Sequence, residues 1–118
     1  MVGVEIWHNP RCSKSRAAKS ALAENAPEHT ERRYLDNPPT EAELAEVLVK
    51  LGKEPWEITR LKEPLAKELG LADRPRDRDD WIAVLAANPV LIERPIVITD
   101  DGRAYLARTP EAVQEALG

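Results

Sequence analysis

The chain has 118 residues, 42% of them hydrophobic and 32% charged, with a formal net charge of −4. That length predicts a single domain over residues 1–118, able to bury a core without disulfide or metal staples. The acidic balance excludes nucleic acid as the main ligand, and with no long apolar run and no basic-then-apolar leader, no membrane partner and a cytoplasmic location are expected.

Residues 2–7 (VGVEIW) predict a short β-strand, and the His8-Asn9-Pro10-Arg11 segment that follows is a loop kept non-helical by Pro10. From Ser13 to about residue 24 the chain is rich in Ala, Lys and Leu, and Ala18, Ala21 and Leu22 form an apolar helical stripe. Residues 29–35 (HTERRYL) predict a weaker strand, closed by Asn37-Pro38-Pro39. Thr40 and Glu43 make a capping box. Leu44, Val47, Leu48 and Leu51 then keep one helix face until Gly52 ends it.

Residues 55–71 predict two short helices with Arg60 near the end of the first. Residues 79–87 predict another, burying Trp81, Val84 and Leu85 and stopping at Asn88-Pro89. Arg32 with Arg33, and the run Arg74, Arg76, Arg78, are flanked by carboxylates and are expected to be solvated surface. Residues 95–99 (PIVIT) are a β-branched strand, Asp100-Asp101-Gly102 a turn, and residues 103–107 (RAYLA) the returning strand. Thr109-Pro110 caps and opens a terminal helix. The order βαβ, helical insert, ββα predicts a mixed four-stranded sheet with flanking helices, an α/β thioredoxin-like fold carrying a helical insertion between its halves.

The chain has one cysteine, which excludes an internal disulfide and a thiolate metal cluster, so no metal site and no bound cofactor are expected. Cys12 lies where loop becomes helix, among unpaired backbone N–H groups at the positive end of the helix dipole. His8, Arg11, Lys14 and Arg16 add positive or potentially positive groups nearby. Such surroundings favour a reactive thiolate over an inert buried thiol, for which the polar HNPRCSKSR segment is the wrong neighbourhood. Ser13 and Ser15 can cap the helix or, with the backbone N–H groups, cradle an anion. The turn makes Thr99 face Arg103, and continuing that register puts Arg94 opposite Arg108, a like-charge pair that an anion would reconcile. Pro95 opens its strand and is a candidate for a cis peptide. A thiolate beside guanidinium groups points to chemistry on an oxyanion, with an outside thiol to resolve the cysteine adduct.

HNPRCSKSR at residues 8–16, ITRLKEPLAKELGL at 58–71 and NPVLIERPIVIT at 88–99 resemble the glutaredoxin-linked arsenate reductase family over essentially the whole chain. The resemblance implies that Cys12 is the catalytic cysteine and that His8 helps keep it ionised. It also implies that Arg60, Arg94 and Arg108 bind the oxyanion, and Ser15 and Arg16 join them as candidate substrate-binding residues. The implied substrate is arsenate, with glutathione as co-substrate and glutaredoxin as the partner that releases arsenite. The chain ends at Gly118, soon after the terminal helix, where longer members continue. Two other readings remain open here: a general thiol–disulfide enzyme acting through glutathione, and a redox regulator binding RNA polymerase. The second of these uses a C-x-x-C switch, and Ser15 stands where its second cysteine would be.

Overall fold

A computed structural model describes residues 4–25, 29–99 and 101–117. In chain order the elements are β1 (Val4–Trp7), α1 (Ser13–Asn25), β2 (Thr30–Arg32), α2 (Glu41–Leu51), α3 (Pro64–Glu68), α4 (Arg78–Ala87), β3 (Ile96–Thr99), β4 (Ala104–Leu106) and α5 (Pro110–Leu117). They group into two compact units, residues 1–37 with 94–118, and residues 38–93.

The first unit holds the whole mixed four-stranded sheet, in the order β2-β1-β3-β4. β1 runs parallel to β2 and antiparallel to β3, which is antiparallel to β4. Alternation along β1 sends Val4 and Ile6 to one face, where Val97 joins them against Ala18 and Leu22 of α1 and Val113 and Ala116 of α5. Ile6, Leu22 and Val97 are fully buried. Each such aliphatic side chain contributes about 1.5–3 kcal/mol by leaving water. This is the thioredoxin-like arrangement expected from element order, with α2 to α4 inserted between β2 and β3.

The hairpin register is the expected one, pairing Ile96 with Leu106, Val97 with Tyr105 and Ile98 with Ala104. The Thr99 N–H donates to the Arg103 carbonyl at 2.9 Å. Gly102 takes φ 86° in the turn, a left-handed conformation that glycine adopts without steric cost. Past the last paired rung the Arg108 N–H turns back onto the Leu106 carbonyl. Arg94 and Arg108 therefore lie beyond the ladder rather than facing each other on a rung of it. β2 is shorter than the predicted 29–35, because the Asp36 and Asn37 N–H groups fold back onto the Arg33 carbonyl in a turn. Residues 2, 3 and 100, on which strand and turn predictions fell, lie outside the described residues.

In the second unit α2 carries both halves of its capping box: the Glu43 N–H donates to Thr40 Oγ1 and the Thr40 N–H donates to Glu43 Oε1. Gly52 ends it at φ 67°. Leu44, Val47 and Leu48 are buried as expected, and Leu51 only half so. α4 begins one residue early, at Arg78, because Asp77 caps it by accepting from the Asp79 and Asp80 N–H groups. It buries Trp81, Ile82 and Leu85, whereas Val84 is half-buried and lies off that face. Between residues 55 and 73 the chain forms a 3₁₀ turn (Pro55–Ile58), the short α3 and a second 3₁₀ turn (Leu71–Asp73).

The Arg74–Arg78 run does more than meet solvent. Arg74 grips Asp80 with two hydrogen bonds of 2.6 and 2.9 Å, and Arg78 reaches Glu54 at 2.7 Å. Arg76 sits 5.6 Å from the centroid of the Trp56 ring, itself edge-on to Trp81. In the first unit Arg32 lies over the Trp7 ring and Arg33 pairs with Glu31. Among the described residues no helix is long and apolar enough to cross a membrane.

Candidate active site

The loop between β1 and α1 is built around Asn9. Its carbonyl accepts from the Cys12 N–H at 3.0 Å, and its side-chain Oδ1 accepts from the Arg11 N–H at 3.0 Å. The Arg16 N–H then donates to the Cys12 carbonyl, the first bond of the helix. The His8 N–H donates to the Arg32 carbonyl at 2.8 Å and ties the loop to β2. Cys12 is thereby held at the helix start, half-exposed.

Three groups surround its sulfur. Burial by itself pushes the Cys12 thiol up. The backbone N–H groups of Ser15 and Lys14, and then Arg94 through its charge and a hydrogen bond, outweigh that burial and hold the thiol below its ordinary value. Alkylation of native Cys12 is therefore expected to reach half its maximal rate at a lower pH than in the urea-unfolded chain. A coincident pair of curves would contradict the geometry. Because the folded thiol is the stronger acid, its contribution to stability is complete above the unfolded pKa and is lost as pH falls through the folded one.

Behind the thiol lies a buried polar chain. Ser15 is 0% exposed and His8 3%. Ser15 Oγ accepts from the Asn9 N–H at 2.9 Å and lies 2.7 Å from His8 Nδ1. An oxygen already accepting from Asn9 still has its own proton, which His8 Nδ1 can take as acceptor. Burial lowers the His8 pKa, opposed by Glu31 and helped by Lys19 and Arg33, which favours the neutral ring. Its Nε2 lies 3.8 Å from Glu31 Oε1, and Glu31 Oε2 meets Lys19 at 3.4 Å. The Ser15 hydroxyl is thus committed to the loop, and it is the Ser15 N–H that reaches the thiol. Ser15→Ala strands the Asn9 N–H and one His8 nitrogen, and is expected to cost about 2 kcal/mol in urea unfolding. A change below about 0.5 kcal/mol would mean that the chain is not what holds the loop.

The remaining candidates are placed as follows. Arg94 precedes a cis Pro95, and its Nε is buried with no hydrogen-bond acceptor among the described residues. Arg16 Nη1 donates to the Pro10 carbonyl at 3.1 Å and braces the loop. Arg108 lines a groove with Ser13 and Lys14. Arg60 belongs to the second unit, where it pairs with Glu63 and donates to the Val90 carbonyl. Among the described residues no group of three His, Cys, Asp or Glu side chains is arranged to hold a metal ion. Sequence reading passed over Asn9 and Glu31. The Asn-Pro pair before a helix start was a usable signal for the first, since Asn favours turns that its side chain closes; Glu31 offered none.

A Cys-bearing loop of this geometry, on this sheet, coincides with a known family: residues 7–116 match the model of the ArsC family. The chain belongs to the ArsC family. This ArsC-family chain is 51% identical over 117 residues to an uncharacterized protein in the glnII region of Streptomyces viridochromogenes, covering 97% of this chain and 98% of that one. It is 42% identical to an arsenate reductase of Neisseria meningitidis, over 99% of this chain and 100% of the relative. The solved structure of an arsenate reductase from Vibrio cholerae superimposes with a TM-score of 0.91 at 40% identity, covering 98% of each chain.

Proposed function

We propose that the protein is an arsenate reductase in which the Cys12 thiolate attacks the oxyanion and outside thiols, glutathione and glutaredoxin, complete the turnover. The observation that carries this reading is the pairing of an acidified, half-exposed thiol with the Arg94 guanidinium, whose buried Nε has no acceptor among the described residues. A thiolate and an oxyanion repel; a guanidinium beside the sulfur neutralises the approach and offers donors matched to oxyanion geometry. The relatives named arsenate reductases support arsenate as that oxyanion.

In the first step Cys12 sulfur bonds to arsenic(V), and one arsenate oxygen leaves as water after taking up protons. Arg94 and Arg108 hold the remaining oxygens, and the Lys14 and Ser15 N–H groups steady the sulfur before attack. His8, hydrogen-bonded to Ser15, positions the loop. A glutathione thiol then displaces a second oxygen, again as water. A glutaredoxin thiolate attacks the glutathione sulfur, and the S–As bonding pair passes to arsenic, leaving arsenic(III) and a mixed disulfide. Water releases arsenite and frees Cys12. Two thiols have supplied the two electrons and appear as one disulfide. With one cysteine in the chain, both must come from outside.

The test is purified protein with arsenate, in reactions that omit glutathione or glutaredoxin in turn. Arsenite is expected only in the complete mixture. Equal arsenite without glutaredoxin would remove that partner. No arsenite in the complete mixture, with brisk reduction of glutathione-linked disulfides, would favour a general thiol–disulfide enzyme.

A further inference from the structure

His8 follows β1 and is 3% exposed, and its two ring nitrogens face different groups. Nδ1 lies 2.7 Å from Ser15 Oγ, and Nε2 lies 3.8 Å from Glu31 Oε1. Glu31 stands on β2, where parallel pairing sets it beside Ile6, just before His8 in the chain. Cations claim its oxygens as well: Lys19 of α1 lies 3.4 Å from Oε2, and Arg33 Nε donates to Oε1 at 3.2 Å. Burial by itself raises the Glu31 carboxyl pKa. Arg33, Lys19 and His8 outweigh that burial and hold the group below its ordinary value, so it is an anion near neutral pH. The charged groups that face His8 among the described residues are therefore Glu31 and Arg33 from the β2 side and Lys19 from α1.

A neutral imidazole carries one N–H, and the surroundings of the two nitrogens decide which of them holds it. On Nδ1 the proton would be donated to Ser15 Oγ, which already accepts from the Asn9 N–H at 2.9 Å. Among the described residues Ser15 Oγ has no third partner, so the hydroxyl's own proton would be stranded in a fully buried site. The bare lone pair of Nε2 would at the same time meet a carboxylate. With the proton on Nε2 both conflicts vanish: a partial positive charge sits next to the anion, and the Ser15 hydroxyl donates to Nδ1 while accepting from Asn9. At 3.8 Å the Glu31 contact is too long for a hydrogen bond and acts through charge, weakly screened beside a buried ring. We propose that Glu31 is a positioning residue for Cys12: its carboxylate holds neutral His8 in the Nε2–H tautomer, and that tautomer locks the Ser15 hydroxyl, the loop and with them the Lys14 and Ser15 N–H groups that serve the sulfur. The inference rests on the reading of Cys12 as the reacting thiol and adds what holds its loop; it is independent of which oxyanion arrives.

The chain holds two histidines, so ring-nitrogen NMR shifts of the full chain report His8 once a His29→Gln variant assigns the other. At pH about 8, above the ordinary histidine pKa of about 6.5, wild type is expected to show His8 protonated on Nε2. Glu31→Gln keeps the shape and removes the charge, and is expected to move the tautomer ratio at least about fivefold toward Nδ1–H. Lys19→Met breaks the same Lys19–Glu31 pair but leaves the carboxylate at His8, and should leave the ratio within about twofold. Alkylation of Cys12 by iodoacetamide supplies the second readout. Loss of a negative charge would by itself move its midpoint to lower pH, whereas a loosened loop moves it up. Glu31→Gln is expected to raise that midpoint by about half a pH unit. A wild-type His8 protonated on Nδ1 would overturn the inference, whether or not the variants fold. So would a tautomer ratio unchanged in Glu31→Gln, an equal shift in Lys19→Met, or an alkylation midpoint that stays or falls. Failure of Cys12 as the reacting thiol shows separately, as arsenite still formed by Cys12→Ser.

Discussion

Cys12→Ser is expected to abolish arsenite formation, a fall of at least about 10⁴-fold in turnover. A serine hydroxyl at the same helix start meets the same Lys14 and Ser15 N–H groups and the same Arg94 charge. Its proton is nonetheless held far too tightly for an alkoxide to form near neutral pH. No sulfur–arsenic bond forms, and nothing is left for an outside thiol to exchange with. Because Cys12 is half-exposed and is not among the buried residues packed under the sheet, the fold survives the change. The variant also carries an internal control: the rise of stability with pH contributed by the thiolate disappears. Arsenite production within about tenfold of wild type would remove Cys12 from the reaction.

Arg94→Ala carries the second-largest effect, because one side chain does two things. It lowers the thiol pKa, and it presents donors beside the sulfur. Its loss should move Cys12 alkylation to higher pH and cut arsenate turnover about 10²–10³-fold, the scale seen when a charge-stabilising donor is removed. The two roles separate in Arg94→Lys. A lysine restores positive charge and much of the thiol shift but has no planar fork, so oxyanion binding stays poor. Protection of Cys12 from iodoacetamide by arsenate measures binding directly. Protection undiminished in Arg94→Ala would place the anion elsewhere.

Most of the sheet, and the helices α1 and α2, were legible in local patterns. The PIVIT and RAYLA segments around a Gly-containing turn specified β3, β4 and their register, because a short turn leaves two strands no other pairing. Ala18 and Leu22, and Leu44, Val47 and Leu48, marked the buried faces of α1 and α2 through helical spacing, and the Thr40 capping box announced where α2 starts. On α4 the same reasoning misjudged one position: Trp81, Ile82 and Leu85 share the buried face, and spacing alone did not tell Ile82 from Val84. The Arg74–Arg78 run was read as solvated surface, yet its partners Glu54 and Trp56 lie some twenty residues earlier and meet it only in the folded unit.

By itself, the sequence determined that the sole cysteine stands at a loop-to-helix junction among polar and basic residues, since both facts are local and follow from Pro10, the helical stripe of α1 and the residues beside Cys12. Only tertiary structure decided which groups act on that sulfur. Arg94 reaches it from two residues before β3, though far away along the chain, and Arg108 turns off the hairpin to line a groove with Lys14. Parallel pairing of β1 with β2 sets Glu31 beside Ile6 and so within reach of the buried His8. The tight loop folds the Ser15 oxygen onto Asn9 and His8, a contact that local sequence did not announce. The physical reason is range: backbone conformation is settled by neighbours in sequence, whereas the electrostatics of a thiol are settled by whatever charges the fold brings within a few ångströms.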